Sequence, residues 1–402
     1  MTSMSHGATR QLGIAFVGTG FVADYYMTTL PNHPELRLTG VFDRDPGASA
    51  RFSRFYGVRV YRDLDEILDD PAVDIVVNLT TPESHFEVSE RALQRGKHVY
   101  CEKPLAMDLG DAETLVALAQ SHKLVLATAP ANALSPATLA VASALDSGKI
   151  GTPRLIYAEL EDGPVFRDNW QEWRSVSGAP WPGPHEFEIG CTLEHAGYAL
   201  SWLISLFGPV CSVTAFSALA FEDKGPPPRP LGPDFSVGAL WFESGPVARL
   251  TCGLSAPRDR SLTIMGDKGT IAVRDLWDHH SSVRLSPADA PRNLLEKVAG
   301  RFERYIGRSL ASRPAPGHAI PVSRAKGIKL PSYPSQIDFC GGIAAQARAI
   351  IDGTTPFFSS EVALHITEIA LALSGAGAES GPIRPRSTFN LARARSESVR
   401  SP

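Results

Sequence analysis

The chain has 402 residues and a formal net charge of −4, with 43% hydrophobic and 20% charged residues. This composition is typical of a globular protein with two or three domains, and it excludes disorder as the main feature. Because Lys and Arg are not in excess, the composition does not favour non-specific binding to a nucleic-acid backbone, and nucleic acid is not expected as a partner. The five cysteines are odd in number and widely spaced, which argues against a disulfide framework or a zinc site and favours a reducing compartment.

Two stretches bear on localisation. The first eleven residues are polar and contain no apolar run of signal-peptide length, so we expect a cytoplasmic protein. The run 196–221 contains no charged side chain, and the absence of charge over such a length is typical of membrane spans. Gly208 and Pro209 divide it, however, and a buried helix followed by a core strand explains the run better. No membrane partner is therefore expected.

The first third of the chain alternates short β-branched runs with amphipathic stretches. Strands are predicted at 13–18, 36–42, 73–79, 98–101 and 124–129. Helices are predicted between them at 21–30, 48–55, 64–68, 84–95 and 111–122. This alternation indicates a doubly wound parallel sheet, and we assign residues 1–150 to a Rossmann dinucleotide-binding domain.

After residue 150 the pattern changes to long strand-like runs in near succession. These runs are 154–160, 210–218, 235–242, 248–255 and 262–273, with helices predicted at 193–207 and 336–351. They indicate an α+β domain with an open, mostly antiparallel sheet over residues 151–380. The helix within 336–352 is expected to pack near the first domain. The Pro-, Arg- and Ser-rich stretch 283–332, which contains an amphipathic segment at 294–306, reads as an insertion, and 381–402 as a flexible tail.

A glycine-rich turn follows the first predicted strand and opens a helix. Gly18, Gly20 and Ala23 match the pattern G-x-G-x-x-G/A. Gly18 permits a tight turn, Gly20 lets the backbone approach a pyrophosphate, and Ala23 allows close packing of helix on strand. The helix start at Phe21 and Val22 supplies N–H donors and a positive dipole end. A dinucleotide is therefore the expected cofactor.

Two charged residues at the end of the second predicted strand bear on the choice of coenzyme. The Asp43 carboxylate is placed to accept hydrogen bonds from ribose hydroxyls and to repel a 2′-phosphate, which favours NAD. Arg44 works in the other direction, because its guanidinium is able to pair with a 2′-phosphate. NAD is the expected cofactor, and NADP stays open.

Two more segments lie where parallel strands end. They are TTPESH, which begins at Thr80, Thr81 and Pro82 and closes at His85, and CEKP, which includes Glu102 and Lys103. With these segments the sequence resembles the Gfo/Idh/MocA family of NAD(P)-dependent oxidoreductases, which includes glucose-fructose oxidoreductase and inositol dehydrogenase. The resemblance runs from GIAFVGTGFVA through both segments to GKIGTPRLIYAEL and returns in QIDFCGGIAAQARAIIDG, and EKP is its most specific block.

The resemblance implies a Rossmann domain followed by an α/β domain with an open antiparallel sheet. It places the TTPESH and EKP loops at the cofactor, with His85 near the nicotinamide ribose. It also implies that Lys103 lies beside the nicotinamide and holds or polarises the reacting hydroxyl. A lysine suits this role, because its ammonium stabilises a developing alkoxide and a lowered pKa would let it share in proton transfer. The Lys103–Pro104 peptide is a candidate for the cis form.

The catalytic helix departs from the family pattern. Relatives commonly carry an Asp and a His in the order D-x-G-x-H, about ten residues before a glycine such as Gly208. Counting back places Glu194 at the Asp position and Tyr198 at the His position. These two residues are i and i+4, so they share one helix face, and Tyr198 would serve as proton donor, or as acceptor if Lys103 lowers its pKa. A shift of the alignment would make His195 the acid instead.

Substrate contacts are expected from the segment before this helix. Trp173 and Arg174 are candidates, with Arg174 suited to a carboxylate or phosphate, and so is His185 in the loop 181–188. The adjacent His279 and His280 point apart and lack nearby cysteines, so no metal is predicted.

The resemblance and the motifs together predict an NAD(P)-dependent oxidoreductase. The expected substrate is a secondary alcohol or ketone of a sugar, cyclitol or related small polyhydroxylated compound. Two alternatives stay open: a redox-neutral lyase, epimerase or glycosidase that keeps its NAD bound, and a non-catalytic regulator that senses the cofactor. Because the family's open sheet often pairs subunits, a homodimer or homotetramer is expected.

Overall fold

The computed structural model describes residues 10–225, 230–289, 301, 305–306, 317–375 and 383–391. These residues form two sheets, one of five strands and one of eight. Most of the amphipathic segment predicted at 294–306 lies outside the described residues.

The first sheet contains five parallel strands, β1 (Leu12–Val17), β2 (Leu36–Phe42), β3 (Ile75–Asn78), β4 (His98–Cys101) and β5 (Leu126–Thr128). Five helices alternate with them, α1 (Phe21–Thr29), α2 (Pro46–Tyr56), α3 (Leu64–Asp69), α4 (His85–Gln94) and α5 (Leu109–Ser121). The strand order is β2-β1-β3-β4-β5. The prediction of a doubly wound parallel sheet is confirmed. The order reverses beside β1, which opens a crevice at the carboxyl ends of β1 and β3.

The second sheet follows α6 (Pro136–Asp146) and has eight strands. They are β6 (Pro153–Glu161), β7 (Val210–Ala218), β8 (Phe235–Phe242), β9 (Val247–Gly253), β10 (Leu262–Gly266), β11 (Gly269–Val273), β12 (Val283–Pro287) and β13 (His318–Ile320). The order is β13-β12-β11-β10-β6-β9-β8-β7, and every neighbouring pair is antiparallel except β6 with β9. The predicted open, mostly antiparallel sheet is confirmed.

Four helices complete the described fold, α7 (Gly183–Ile189), α8 (Cys191–Phe207), α9 (Gly341–Asp352) and α10 (Ser360–Ser374). The buried helix α8 is followed by β7, so the charge-free run 196–221 is a helix and a strand, as predicted. None of the helices in the described part of the chain is long and apolar enough to cross a membrane. One face of the second sheet packs on α8 and α10. The opposite face leaves large apolar side chains such as Tyr157 and Trp241 partly exposed.

Three sequence predictions need correction. The run 262–273 is two strands joined by a turn at Asp267 and Lys268, not one strand. The stretch 283–332 is not only an insertion, because its β12 and β13 extend the sheet. Helices α6, α7 and α10 were not predicted.

Part of the predicted tail 381–402 is packed against the second domain rather than free. Ile383 pairs with Val213 of β7, and the Ser387 and Arg386 amides donate to the Glu368 carboxylate at 2.8 and 2.7 Å. Phe389 is buried. Residues 383–391 are therefore a structural element, held by β7 and by the Glu368 carboxylate of α10.

Helix α9 comes late in the chain but packs on the first sheet. The Gln346 side chain donates to the carbonyl oxygens of Val99 and Val125, at 2.9 and 3.0 Å. Gly342 lies so close to Tyr100 that a Cβ there would be 2.3 Å from the phenol oxygen. Helix α9 thus contributes to the first sheet's packing although it follows the second sheet in the chain.

Candidate active site

One cavity of about 1260 Å³ runs from the glycine-rich turn along the carboxyl ends of the parallel strands to α7 and α8. Its volume exceeds the roughly 300–1,000 Å³ of ordinary ligand pockets. It is lined by every residue predicted for the site except Ala23, namely Gly18, Gly20, Phe21, Val22, Asp43, Arg44, Thr80, Thr81, Pro82, His85, Glu102, Lys103, Trp173, Arg174, His185, Glu194, His195 and Tyr198. Ala23 is fully buried beneath the cavity.

The glycine-rich turn offers space and donors for a pyrophosphate. Gly18 has φ +102°, and a Cβ there would be 2.5 Å from the carbonyl oxygen of Leu79. A Cβ on Gly20 would meet no atom within 4 Å, so the cavity is open above it. The N-terminus of α1 has no side-chain cap. The first-turn amides are therefore available to an anion, which fits a dinucleotide.

The Asp43 carboxylate holds the glycine-rich turn in place. It accepts hydrogen bonds from the Thr19 amide at 2.7 Å, from the Thr19 hydroxyl at 3.0 Å and from the Asp45 amide at 2.9 Å. Arg51 secures the same turn, because its guanidinium donates to the Thr19 carbonyl at 2.9 Å. Arg44 is exposed at the rim. The adenosine end of the cavity thus carries an acid beside a basic residue.

His85 connects the two loops that carry the family resemblance. Its Nδ1 is 2.6 Å from the Pro104 carbonyl oxygen and its Nε2 is 3.1 Å from that of Thr80. The side chain is fully buried, and burial lowers its pKa. Both ring nitrogens face protein carbonyls, so His85 joins the two loops at the wall of the cavity.

In the EKP segment, the Lys103 side chain extends into the cavity and the Glu102 side chain is hydrogen-bonded to the protein. The Lys103–Pro104 peptide is cis, as the sequence suggested. Glu102 accepts from the Tyr26 hydroxyl at 2.7 Å and from the Lys103 amide at 3.0 Å. The Lys103 side chain is left to cross the cavity toward α8.

Lys103 meets Glu194 across the cavity. Its Nζ lies 2.6 Å from Glu194 Oε2, and the two side chains are 11% and 14% exposed. Burial by itself would lower the pKa of Lys103, but the carboxylates of Glu194 and Glu102 outweigh it and raise the pKa. Burial would likewise raise the pKa of Glu194, but Lys103 outweighs it and lowers the pKa. The expected lowering of the Lys103 pKa is therefore wrong: the pair is a stable ammonium and carboxylate.

Tyr198 and His195 both reach the cavity from α8. Lys103 Nζ is 5.8 Å from the Tyr198 ring centroid. Burial, together with Glu102, Glu194 and Glu186, raises the pKa of Tyr198 well above its ordinary value, so the phenol stays protonated. The condition set for Tyr198 as a proton acceptor, a pKa lowered by Lys103, is therefore not met. His195 is 4% exposed, and its Nδ1 has no hydrogen-bond partner.

The predicted substrate residues differ in their availability. Trp173 packs on Trp181 with ring centroids 5.0 Å apart, and both line the cavity. Arg174 Nη1 donates to the carbonyls of Gln171 and Trp173, at 2.7 and 2.8 Å. His185 Nε2 lies 3.6 Å from the Glu83 carboxylate. One nitrogen of the exposed Arg174 guanidinium is thus bonded to its own loop.

Several lining residues were not singled out from the sequence. Glu186 lies in α7, Asp162 follows β6, and Arg258 and Trp277 come from loops far along the chain. Glu186 stands within the loop segment flagged as a substrate loop, which is the one signal that pointed to it. Arg258 and Trp277 reach the cavity only because the second sheet folds back on the first, and no local pattern marks them.

The segment 173–181 forms a strap that contacts the first turn of α1. Ser177 donates to the buried Asp24 carboxylate at 2.8 Å, and the Tyr56 hydroxyl donates to the other oxygen of Asp24. The strap turns at Gly178, where a Cβ would lie 3.8 Å from Arg51, the residue that holds the glycine-rich turn. The segment 173–181 is therefore fastened beside the dinucleotide end of the cavity.

Metal ligands are not assembled in the described part of the chain. No group of three or more His, Cys, Asp or Glu side chains there is close enough to hold an ion. His279 and His280 contact each other edge to face, with centroids 4.8 Å apart. Burial lowers the pKa of His279 to about 4.

Known proteins resemble this chain over part of its length. An uncharacterized oxidoreductase of Schizosaccharomyces pombe is 31% identical over 205 residues, which is 50% of this chain and 53% of that protein. The mouse trans-1,2-dihydrobenzene-1,2-diol dehydrogenase is 24% identical over 265 residues, 65% of this chain and 74% of that one. The alignment thus spans about half the length of the first of these relatives.

A solved structure shares the fold over nearly the whole chain. The WlbA dehydrogenase of Bordetella pertussis, crystallised with NADH and UDP-GlcNAcA, superposes with a TM-score of 0.69 at 19% identity over 94% of this chain and 98% of that one. Residues 12–129 match the oxidoreductase family with an NAD-binding Rossmann fold. Residues 138–272 match the GFO/IDH/MocA C-terminal domain. The chain therefore belongs to the Gfo/Idh/MocA family of oxidoreductases.

Proposed function

We propose that this protein transfers a hydride between a nicotinamide dinucleotide and a secondary alcohol or ketone of a cyclic, polyhydroxylated compound. The observation that carries the proposal is the Lys103–Glu194 ion pair, 2.6 Å long, in the cavity that begins at the glycine-rich turn. The names of relatives that act on dihydrodiols and sugar derivatives support the substrate class. When bound, the dinucleotide supplies the hydride acceptor or donor.

The chain's own residues handle the oxygen and its proton. The ammonium of Lys103 stays charged throughout, so it stabilises negative charge on the substrate oxygen without giving up its own proton. Glu194 holds that ammonium in position. Tyr198, whose raised pKa keeps the phenol protonated, and His195, neutral because burial lowers its pKa, are the two candidates for the group that exchanges the proton. The same group donates the proton in ketone reduction and accepts it in alcohol oxidation.

The strap favours a second candidate function. Ser177 fastens the segment 173–181 to Asp24, next to the glycine-rich turn. A dinucleotide bound beneath this segment would dissociate slowly. Slow dissociation is what an enzyme needs if it oxidises and then reduces the same substrate with one bound cofactor. Redox-neutral elimination or epimerisation is therefore the alternative to net oxidation.

We further propose that the protein forms a homodimer or homotetramer and works in the cytoplasm. The exposed face of the second sheet carries Leu155, Tyr157 and Trp241, which are 44%, 39% and 56% exposed. Adjacent large apolar side chains of this kind favour pairing of sheets between copies. All five cysteines are free, and four of them are buried, which supports a reducing compartment.

The experiment begins by denaturing the purified protein and identifying any released nucleotide. The native protein is then mixed with NAD or NADP and a panel of sugars and cyclitols, and the absorbance of the reduced nicotinamide is followed. We expect cofactor reduction, faster with NAD because of Asp43. Retained nucleotide without net reduction would favour the redox-neutral function. A protein that binds neither coenzyme would contradict both.

A further inference from the structure

The Glu102 carboxylate of the EKP segment is held from two sides. Its Oε1 accepts a hydrogen bond from the Tyr26 hydroxyl at 2.7 Å, and its Oε2 accepts one from the Lys103 backbone amide at 3.0 Å. The backbone of Glu102 is fixed as well, because its amide donates to the Asn78 carbonyl at 2.9 Å. The carboxylate therefore connects a side chain of α1 to the backbone of the residue that carries the ammonium.

The Tyr26 ring is held rigidly behind this carboxylate. It is 1% exposed and packs against the rings of Phe16, Tyr100 and Phe339, whose centroids lie 6.1, 6.4 and 5.5 Å away. Burial, followed by the Glu102 carboxylate, raises the pKa of Tyr26 well above its ordinary value, so the phenol stays protonated. Tyr26 thus offers Glu102 a hydrogen-bond donor of fixed position and constant protonation.

The Lys103 side chain is fixed at both of its ends. Its backbone amide is bonded to Glu102 in the first domain, and its ammonium lies 2.6 Å from Glu194 Oε2 in the second. The methylene groups between these ends form a flexible stem. The place of the ammonium in the cavity therefore depends on where Glu102 holds the backbone as well as on Glu194.

We propose that Tyr26 is a positioning residue for the oxidoreductase reaction, whose hydroxyl orients Glu102 so that Glu102 fixes the peptide from which Lys103 reaches the substrate oxygen. The inference rests on the proposed function. Tyr26 itself is not among the residues that line the cavity, so its contribution is made through Glu102. A residue of the helix that begins at the pyrophosphate site would in this way set the geometry of the ion pair.

The test removes the Tyr26 hydroxyl and keeps the ring. Tyr26→Phe is compared with the wild type, with Glu102→Ala and with the double variant. Tyr61→Phe is the matched control, because the Tyr61 hydroxyl also donates to a carboxylate, that of Asp70, at 2.7 Å in the same domain, and Tyr61 does not line the cavity. For each protein we would measure kcat, KM, the dissociation constant of NADH and the melting temperature.

Tyr26→Phe should lower kcat about 30-fold, because a displaced ammonium no longer meets the charge that develops on the substrate oxygen. KM and the dissociation constant of NADH should change less than about threefold. Tyr61→Phe should lower the melting temperature by a similar amount and leave kcat unchanged. The double variant should have the kcat of Glu102→Ala alone, since the effect of Tyr26 passes through that carboxylate.

A crystal structure of Tyr26→Phe provides a readout that does not depend on turnover. Compared with a crystal structure of the wild type grown under the same conditions, the Glu102 carboxylate should turn away from the Lys103 amide. The ammonium should move by about 1 Å or more relative to Glu194, a displacement of the size that impairs catalysis.

Three results would overturn the inference. They are a wild-type kcat in Tyr26→Phe, a loss of kcat that recurs in full when Tyr26→Phe is added to Glu102→Ala, and a crystal structure in which Glu102 and Lys103 have not moved. The proposed function would stand in each case, because the wild type still turns over. A wild type that reduces neither coenzyme would contradict the proposed function instead, and the crystal structures alone would then decide whether Tyr26 positions Lys103.

Discussion

The two ends of the cavity differ in the source of their polar groups. At the dinucleotide end, the donors are backbone amides at the start of α1, and the charged side chains Asp43 and Arg51 hold the loop itself. At the substrate end, the polar groups are side chains, and Lys103 and Glu194 are removed from water. Backbone amides bind any pyrophosphate in the same way. The energies of desolvated charged side chains, by contrast, change strongly when one of those side chains is replaced. We therefore expect the first end to set cofactor affinity and the second to set chemistry.

The largest effect should come from removing the ammonium. Lys103→Met leaves Glu194 without its counter-ion and the substrate oxygen without charge stabilisation, and kcat/KM should fall about 1,000-fold. The affinity for NADH should change less than about tenfold, because it is set at the other end. Steady-state kinetics and NADH fluorescence titrations measure the two effects, with Lys149→Met on the surface as the control. Equal losses in both would contradict the division between the ends.

The dinucleotide end should respond to a substitution that fills its space. Gly20→Val meets no atom in the folded protein but occupies the cavity, so NADH affinity should fall about 100-fold with little change in melting temperature. Gly18→Val is the contrast, because its positive φ and its closeness to the Leu79 carbonyl should destabilise the fold. Unchanged NADH binding by Gly20→Val would place the pyrophosphate elsewhere.

A third effect concerns the contact between His33 and Asp338, a clamp that joins the first domain to the segment before α9. Burial by itself would lower the pKa of His33, but Asp338, 3.0 Å away, and Glu35 outweigh it and raise the pKa from 6.5 to about 9. The raised pKa means that the folded state holds this proton more tightly than the unfolded chain does. The resulting stability is complete below about pH 6.5 and is lost as the pH rises through 9.

The loss should amount to about 2–3 kcal/mol of the free energy of unfolding. Urea unfolding between pH 6 and about pH 10 measures it. His33→Gln should flatten the curve over this window, and His122→Gln, on an exposed helix end, should not. If the wild type and His33→Gln lose the same stability across the window, the clamp does not depend on this proton.

The smallest effect should come from loosening the strap. Ser177→Ala removes the hydrogen bond to the buried Asp24, at a cost of about 1 kcal/mol. The dissociation rate of NADH, followed by stopped-flow fluorescence, should rise about fivefold, while kcat for rapidly exchanging substrates changes little. Ser121→Ala, on an exposed helix end, is the control. A dissociation rate equal to that of the wild type would remove the support for the redox-neutral alternative.

The contrast between the two ends of the cavity also explains how much of the site the sequence predicts. The turn at Gly18 and Gly20 was predictable because strand, turn and helix start occupy adjacent positions. Helix α6 carried a usable signal too, since Ser135 and Pro136 form a regular helix start. Helix α10 is buried on most sides, so no polar stripe gives it a helical period.

The substrate end depends on contacts between distant parts of the chain. Lys103 and Glu194 are 91 positions apart, and the pKa of each depends on the other. The sequence suggested that nearby cationic or apolar groups would lower the lysine pKa, and the carboxylates that raise it become visible only in the fold. Trp277 reaches the site through the second sheet in the same way. Charge balance in a desolvated site is a property of the assembled cavity, which no local pattern records.

The most direct test of the account is a crystal structure of the protein with NADH. We predict the pyrophosphate at the start of α1 beside Gly20, the adenosine near Asp43, and the nicotinamide at the Lys103–Glu194 pair. A dinucleotide bound outside this cavity, or with its nicotinamide away from Lys103, would contradict the central claim that one continuous cavity joins the cofactor to the desolvated ion pair.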